Sequence, residues 1–414
     1  MRVLQRRAAV GVRFEPCVAG PGVRVLSVTP DSGAHRGGIQ AGDILLAADQ
    51  TSFTNEAVFR EWAASLRAWD QCTLWVERDR KRAQGFKITV FERSKERADG
   101  VEHSYTQAST EDDTLLRVIV SRPTPPQKPV ARVLLLPGYR RDSWDWPTAT
   151  EYPLRKWIED VVRAGFGVVR VERRGVGDSE GDGSAQGFDE ERDDLLRAAK
   201  SSSDHWLYGL PWIVYGYSLG GLHAPLVARA LDARAVSVWG SGIDTWTEYL
   251  DALLRRRMNL EGQGEPSIEA AIRAQQALYA TVHIRGETVA QAVARHPALG
   301  SFKKAFGLDV ERNMIDGRPA RFWREVYQCP TASALASMDA PLLALWGECD
   351  WITSLEEHQR IARISPRATL VRVPLTDHGY ARAQSPLAAL RTPSNEYAPE
   401  CARAFIEWAA TVAR

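Results

Sequence analysis

The sequence predicts an α/β protein: a mostly parallel, eight-stranded sheet with a helical insertion, preceded by a small α+β domain. Three observations carry this. From about residue 101 onward, apolar runs of strand length alternate with segments of helix length, the pattern of a sheet covered on both faces. Within it, Gly216-Tyr217-Ser218-Leu219-Gly220 follows the apolar run Pro211-Trp212-Ile213-Val214-Tyr215 and leads directly into Leu222-His223-Ala224-Pro225-Leu226-Val227-Ala228. A strand therefore ends at a sharp turn and a helix starts at once. The first 92 residues differ, with short alternating strands such as Val23-Arg24-Val25-Leu26-Ser27-Val28 and Thr73-Leu74-Trp75-Val76-Glu77 around one amphipathic helix near 56–67.

The chain of 414 residues is too long for one ordinary core. Its 53 Lys and Arg nearly cancel its 52 Asp and Glu, which gives no reason to expect a nucleic-acid partner. Cysteines 17, 72, 329, 349 and 401 are odd in number and scattered, with no pair at metal-ligand spacing. Reduced thiols, no metal and no cofactor are expected. Charges near the start, at Arg2, Arg6 and Arg7, are followed by no long apolar run, and no stretch suits a membrane span. A cytoplasmic protein is the expectation. Fourteen Trp are many, and Trp144, Trp146, Trp239, Trp246, Trp323 and Trp351 lie near the proposed site or insertion in sequence.

The expected domains are residues 1–92, a charged linker at 93–100, and 101–414. Strands are expected at about 102–107, 114–121, 131–136, 167–172, 211–216, 235–240, 341–346 and 369–373. A short polar turn joins the first two, which should pair antiparallel; helix-length connections make the later ones parallel. The strand-free stretch 245–338 reads as a helical cap, broken at Pro266, Gly286, Pro297 and Gly317.

Ser218 sits where a strained turn exposes its hydroxyl at a helix N-terminus. A serine needs a general base, and the base an orienting acid. Asp350 follows the run Leu342-Leu343-Ala344-Leu345-Trp346, and His378 follows Val371-Arg372-Val373. Parallel strands end on one edge, so Ser218, Asp350 and His378 can meet there. Glu348 is two residues from Asp350, and an acid can also come from an earlier strand. Asp377, adjacent to His378, reads as structural. The amides of Leu219 and of Tyr139, in Pro137-Gly138-Tyr139 after a strand, are the expected oxyanion donors.

Pro137-Gly138-Tyr139, Glu172-Arg173-Arg174-Gly175-Val176-Gly177-Asp178-Ser179, Gly216-Tyr217-Ser218-Leu219-Gly220, Gly347-Glu348-Cys349-Asp350 and Asp377-His378-Gly379 together resemble the α/β-hydrolase superfamily, in its dienelactone-hydrolase-like and acyl-peptidase-like branches. The resemblance spans about 300 residues. It implies a nucleophile at Ser218, a base at His378, an acid at Asp350 and oxyanion amides at Tyr139 and Leu219. Glu172 stands where aspartate is usual and reads as structural. The expected activity is cleavage of an ester, thioester or amide, with peptidase and non-catalytic scaffold as alternatives.

Residues 8–90 resemble the PDZ domains of bacterial proteases, through Gly22-Val23-Arg24-Val25-Leu26-Ser27-Val28-Thr29-Pro30 and Gly38-Ile39-Gln40-Ala41-Gly42-Asp43-Ile44-Leu45. Val10, Gly11 and Val12 match the loop whose amides hold a peptide's terminal carboxylate in that family. The implied partners are a small-molecule or peptidyl acyl substrate and a peptide C-terminus. The alternative for this domain is packing or dimerisation. Arg255-Arg256-Arg257 could meet an anionic substrate or form a solvated helix face.

Overall fold

A computed structural model describes residues 2–17, 20–201 and 207–413. The chain divides into two compact units, Met1–Lys95 and Glu96–Arg414.

In the second unit, strands β1 (Val101–Ser109), β2 (Leu115–Pro123), β3 (Ala131–Leu136), β4 (Phe166–Val171), β5 (Trp212–Tyr217), β6 (Ala235–Trp239), β7 (Leu342–Gly347) and β8 (Ala368–Val373) form one sheet. Its order is β8-β7-β6-β5-β3-β4-β2-β1. β1 and β2 pair antiparallel, with Leu115 opposite Ser109, and β2 also runs antiparallel to β4. From β4 through β3 to β8 every pairing is parallel. The continuous apolar runs follow from burial on both faces. Val133 and Leu135 join a core with Trp157, Tyr215 and Phe405, while Leu134 and Leu136 join another with Leu195, Val214 and Val227. The alternation is the strand period of two.

Helices α1 (Pro153–Arg163), α2 (Phe188–Ser201) and α3 (Gly220–Leu231) cover the sheet between strands, as do α7 (Leu355–Ile364) and α8 (Glu400–Val412) near the end. Between β6 and β7 lies the insertion, with helices α4 (Trp246–Leu260), α5 (Glu265–Tyr279) and α6 (Ala320–Gln328). α4 opens on a capping box in which Thr245 and Glu248 bond reciprocally. Pro266 starts α5 rather than breaking it, since a proline in a first turn lacks only an amide that would be orphaned anyway.

Two expectations need correction. The insertion is not strand-free: Leu308–Asp309, Met314–Ile315 and Arg318–Pro319 form a small antiparallel sheet. Left-handed backbone at Gly307, Asn313, Asp316 and Gly317 folds the chain too sharply for a helix there. The charged linker expected at 93–100 is also divided, since the second compact unit begins within it, at Glu96. Glu96 is buried, and its carboxylate takes hydrogen bonds from both Arg170 terminal nitrogens and from the Trp146 amide. Burial works against the ionised form, but Arg170 prevails and holds Glu96 down to about 2.

The first unit has a sheet in which Val12–Pro16, Val23–Val28, Ile44–Ala48, Gln71–Glu77 and Gln84–Thr89 join in that order. Its helix Glu56–Ser65 is capped by Asn55 and sends Phe59 into a core with Val23, Leu45, Phe53 and Leu74. Val12–Pro16 is an edge strand of this sheet. Among the described residues, no helix is long and apolar enough to cross a membrane.

Candidate active site

The turn after β5 forms because glycines flank it. Ser218 has φ 54°, the left-handed region that a β-carbon disfavours, and its amide is anchored on the Trp239 carbonyl at 2.8 Å. A β-carbon at Gly216 would come within 2.5 Å of Gly221, and one at Gly220 within 2.4 Å of the Leu136 carbonyl. These approaches seat the start of α3 against the end of β3. The amides of its first turn have no partner inside the helix. Leu219 is buried there, in a cluster with Phe188, Leu222, Phe322 and Trp323.

Asp350 and His378 follow β7 and β8, and the structure brings them together. His378 Nδ1 lies 2.8 Å from Asp350 Oδ2. That oxygen also accepts the Thr353 hydroxyl at 2.7 Å, while Oδ1 accepts the amides of Ile352 and Thr353. Burial pushes the Asp350 pKa up, but His378 and Thr353 outweigh it, and the pKa ends below the ordinary carboxyl range. Burial likewise opposes a charged His378, but Asp350 more than offsets this and raises the ring above its usual value. The ionised carboxylate fixes the proton on Nδ1 and leaves Nε2 as acceptor. The Trp239 indole donates to the His378 carbonyl at 2.8 Å, and the Tyr217 ring centroid lies 5.5 Å from that of His378.

Glu348 turns away to Arg372, 3.0 Å distant on the surface. Asp377 accepts the amides of Gly379 and Ala381, a turn role. Glu172 is buried, bonding the Ser143 hydroxyl and the Asp178 amide. The space left by the missing side chain at Gly177 admits its carboxylate.

Gly138 lies against Ser218: a β-carbon on it would sit 3.3 Å from that of the serine. Its carbonyl and the two that follow are held. Arg173 Nη2 donates to Gly138 O and Nη1 to Arg140 O, and Arg318 donates to Tyr139 O from Nε and Nη2. Tyr139 itself is partly exposed, its ring centroid 6.1 Å from that of Trp323 in the insertion, which stacks on Trp246 at 5.4 Å. By contrast Trp239 and Trp144 are core.

The arginine run divides. Arg255 pairs with Glu265 and Glu269 and Arg257 with Glu261, all on the surface. Arg256 turns inward and donates to the carbonyls of Trp351 and Ile352, beside Asp350. Arg173, Arg318, Arg256 and Thr353 are the site-forming residues that sequence reasoning missed. The partners of the three arginines lie on other elements, so no local pattern marks them, and Thr353, three residues past Asp350, is an ordinary loop threonine in the string. Arg173 stood inside a quoted motif, but a guanidinium's target is invisible in the string.

A cavity of about 540 Å³ lined by Asp232, Arg234, Pro341 and Arg367 lies where β6, β7 and β8 begin, at the sheet edge opposite Ser218. Size does not locate the site. Among the described residues, no group of three or more His, Cys, Asp or Glu is arranged to hold a metal ion.

In the first unit, Gly11 has φ 86°, and a β-carbon on it would strike Ser32 at 2.1 Å. Thr29 donates to Gly11 O and Ala34 to Val10 O. Since peptides are planar and trans, the amides of Gly11 and Val12 point the other way, toward the open edge of the sheet. Beside them the Phe14 ring meets Phe59 on the helix at 4.7 Å, under the Arg60 guanidinium.

Residues 131–379 match the family model described as alpha/beta hydrolase fold, and residues 8–90 match that of the PDZ domain. A comparison with curated proteins found no match. Among solved structures, the chain is similar to the Pyrococcus furiosus esterase Pf2001, with 16% identity over 76% of this chain and 92% of that one and a TM-score of 0.44. It is likewise similar to the esterase domain of a Rhodothermus marinus protein (15% identity, 76% and 100% covered, TM-score 0.44). A third is a thermophilic esterase from Thermogutta terrifontis, in a malate-bound structure (18% identity, 75% and 100% covered, TM-score 0.43). With the model matching most of the chain from β3 to the loop after β8, the protein belongs to the α/β-hydrolase fold family and is a hydrolase of that superfamily with a PDZ domain before it.

Proposed function

We propose that this hydrolase cleaves an ester, thioester or amide of a small or peptidyl acyl substrate through an acyl-enzyme on Ser218. The observation that carries the reading is the Asp350–His378 hydrogen bond at 2.8 Å, on the sheet edge where Ser218 occupies its left-handed turn. Nε2 of His378 takes the hydroxyl proton as Oγ attacks the acyl carbon. The carbonyl electron pair moves onto oxygen, and the resulting oxyanion accepts the amides of Tyr139 and Leu219. Collapse expels the leaving group, which takes the proton from His378. Water then repeats the sequence and frees the acid. The insertion acts as a lid whose aromatic residues, Trp246 and Trp323, wall the acyl side. The protein works in the cytoplasm, in keeping with five free thiols.

The test is a panel of activated esters, thioesters and peptides on wild type and Ser218→Ala, with a fluorophosphonate probe. Wild type should turn over at least one class and carry the adduct on Ser218. Probe refused and all three classes left intact would leave the non-catalytic scaffold standing.

A second role has its own support. The outward amides of Gly11 and Val12 suit a terminal carboxylate, and the edge strand Val12–Pro16 suits an added peptide strand. Binding of a free C-terminal peptide that vanishes on amidation would establish it. A peptidase fed by this domain would also release amines from such peptides.

A further inference from the structure

The carbonyl side of the oxyanion segment is held by a charged assembly of unusual composition for a loop. Arg173 and Arg318 are both buried, and they share one carboxylate, Glu191 of α2. Arg173 Nε lies 3.1 Å from Glu191 Oε1, and Arg318 Nη1 lies 2.9 Å from Oε2. Their remaining nitrogens go to the carbonyls of Gly138, Tyr139 and Arg140. Burial lowers Arg173 to about 10, with Glu191 opposing the fall, so it stays charged at neutral pH. Burying two guanidiniums costs several kcal/mol per ion before pairing. An ordinary loop carbonyl needs only an amide or a water.

One geometric fact gives the assembly a purpose. The peptide unit whose N–H belongs to Tyr139 has Gly138 O as its other end. In a trans peptide the two point in opposite directions. Arg173 therefore fixes which way the Tyr139 N–H faces. A cation on the carbonyl also polarises the amide and makes its N–H a stronger donor. Arg318 fixes the next unit, and it comes from the insertion, packed on Phe322 of α6 at 4.3 Å.

Resting on the reading of Ser218 as nucleophile, we infer that Arg173 is a positioning residue for the oxyanion hole, and that Glu191 and Arg318 make that hole depend on the cap. The cap is then part of the reaction machinery for any acyl group, large or small. A lid that only shaped the acyl pocket would not touch the carbonyl face of this segment.

The experiment uses the full chain with p-nitrophenyl acetate as substrate and phenylboronic acid as the probe that adds to the serine as a tetrahedral adduct. Arg173→Gln should lower kcat by about 10²-fold, near the lower end for loss of an oxyanion donor. KM should move by less than about threefold, and boronate affinity should fall by about the same factor as kcat/KM. Arg173→Lys should recover part of the loss, and Arg318→Gln should lose about tenfold in the same pattern. The acid limb of the pH profile should stay in place, because Asp350 and His378 are untouched. Circular dichroism and thermal melts check the fold, and should Arg173→Gln fail to fold, Arg318→Gln and Arg318→Lys decide. Folded variants with kcat unchanged, a loss confined to KM, or a shifted acid limb would overturn the inference while leaving Ser218 chemistry intact. If wild type neither turns over nor takes a fluorophosphonate, both readings fall.

Discussion

The two proposed anion sites, the oxyanion hole and the PDZ carboxylate loop, are built differently. At the hydrolase edge the proposed donors are the Tyr139 amide, whose peptide carbonyl is held by buried Arg173, and the Leu219 amide at the start of α3, whose peptide carbonyl accepts the Gly221 amide. In the PDZ unit the amides of Gly11 and Val12 are backed by neutral hydrogen bonds to the loop carbonyls, from the Thr29 and Ala34 amides and, at 3.5 Å, the Ser32 hydroxyl. The difference is the one the two proposed anions would require. An oxyanion exists only during the reaction and must meet donors already in place. A peptide carboxylate is a permanent charge that exchanges with water, and modest affinity suffices. Rigid charged backing suits chemistry, and a neutral loop suits reversible capture.

The sharpest break of this comparison is Ser218→Ala. Turnover should fall by on the order of 10³ or more, while peptide binding by the PDZ unit stays unchanged. Mass spectrometry of phosphonate-treated wild type should find the adduct on the peptide holding Ser218. A label elsewhere with activity surviving in the variant sinks the mechanism.

Next in size is Asp350→Asn, with an expected loss of about 10²-fold or more, since the ring loses the carboxylate that selects its tautomer. Glu348→Gln should be mild, because that carboxylate faces Arg372. The opposite ranking would move the acid to Glu348.

The pH dependence sharpens the assignment. Protonated His378 cannot accept the serine proton, so kcat/KM should fall as pH drops through its pKa. Asp350 raises that pKa, so the midpoint should lie above the ordinary imidazole value near 6.5, and any activity left in Asp350→Asn should show it shifted to lower pH. An unmoved midpoint would mean another group titrates.

The smallest effect on chemistry should come from the PDZ loop. Gly11→Val places a side chain into Ser32, so it should abolish capture of a free C-terminus while small-ester kcat/KM stays within about twofold. Calorimetry with a peptide and its amidated twin reads the first, and steady-state kinetics the second. A large loss of small-ester turnover would show that this unit takes part in the reaction.

The sequence carried the sheet well because its inner strands are apolar on both faces. Runs such as Val133-Leu134-Leu135-Leu136 announce themselves without partners. The pairing of Asp350 with His378 was legible for a related reason: each stands just past such a run. The buried charges were not. Glu191 and Arg318 are 127 positions apart, and a solvated glutamate on a charged helix looks the same in a string as one that bridges two arginines. Glu96 was misread likewise, as one charge among several in a polar stretch. Periodicity reports which face is apolar, and says nothing of a charge buried by its partner. Arg256 shows the same limit, since its two neighbours in the run do remain on the surface.

The Glu96–Arg170 pair also sets where this hydrolase can be cut from its surroundings. Arg170 lies in β4 with no exposed surface, and its carboxylate partner precedes the first strand of the sheet. A fragment beginning at Val101 keeps every strand and the whole Ser218 network, but strands a cation in the interior at a cost of about 3–5 kcal/mol. Gene fusions and recombined homologues that splice at the strand boundary inherit that defect. Those that carry the short charged stretch along do not, so the heritable module is longer than the sheet it encodes.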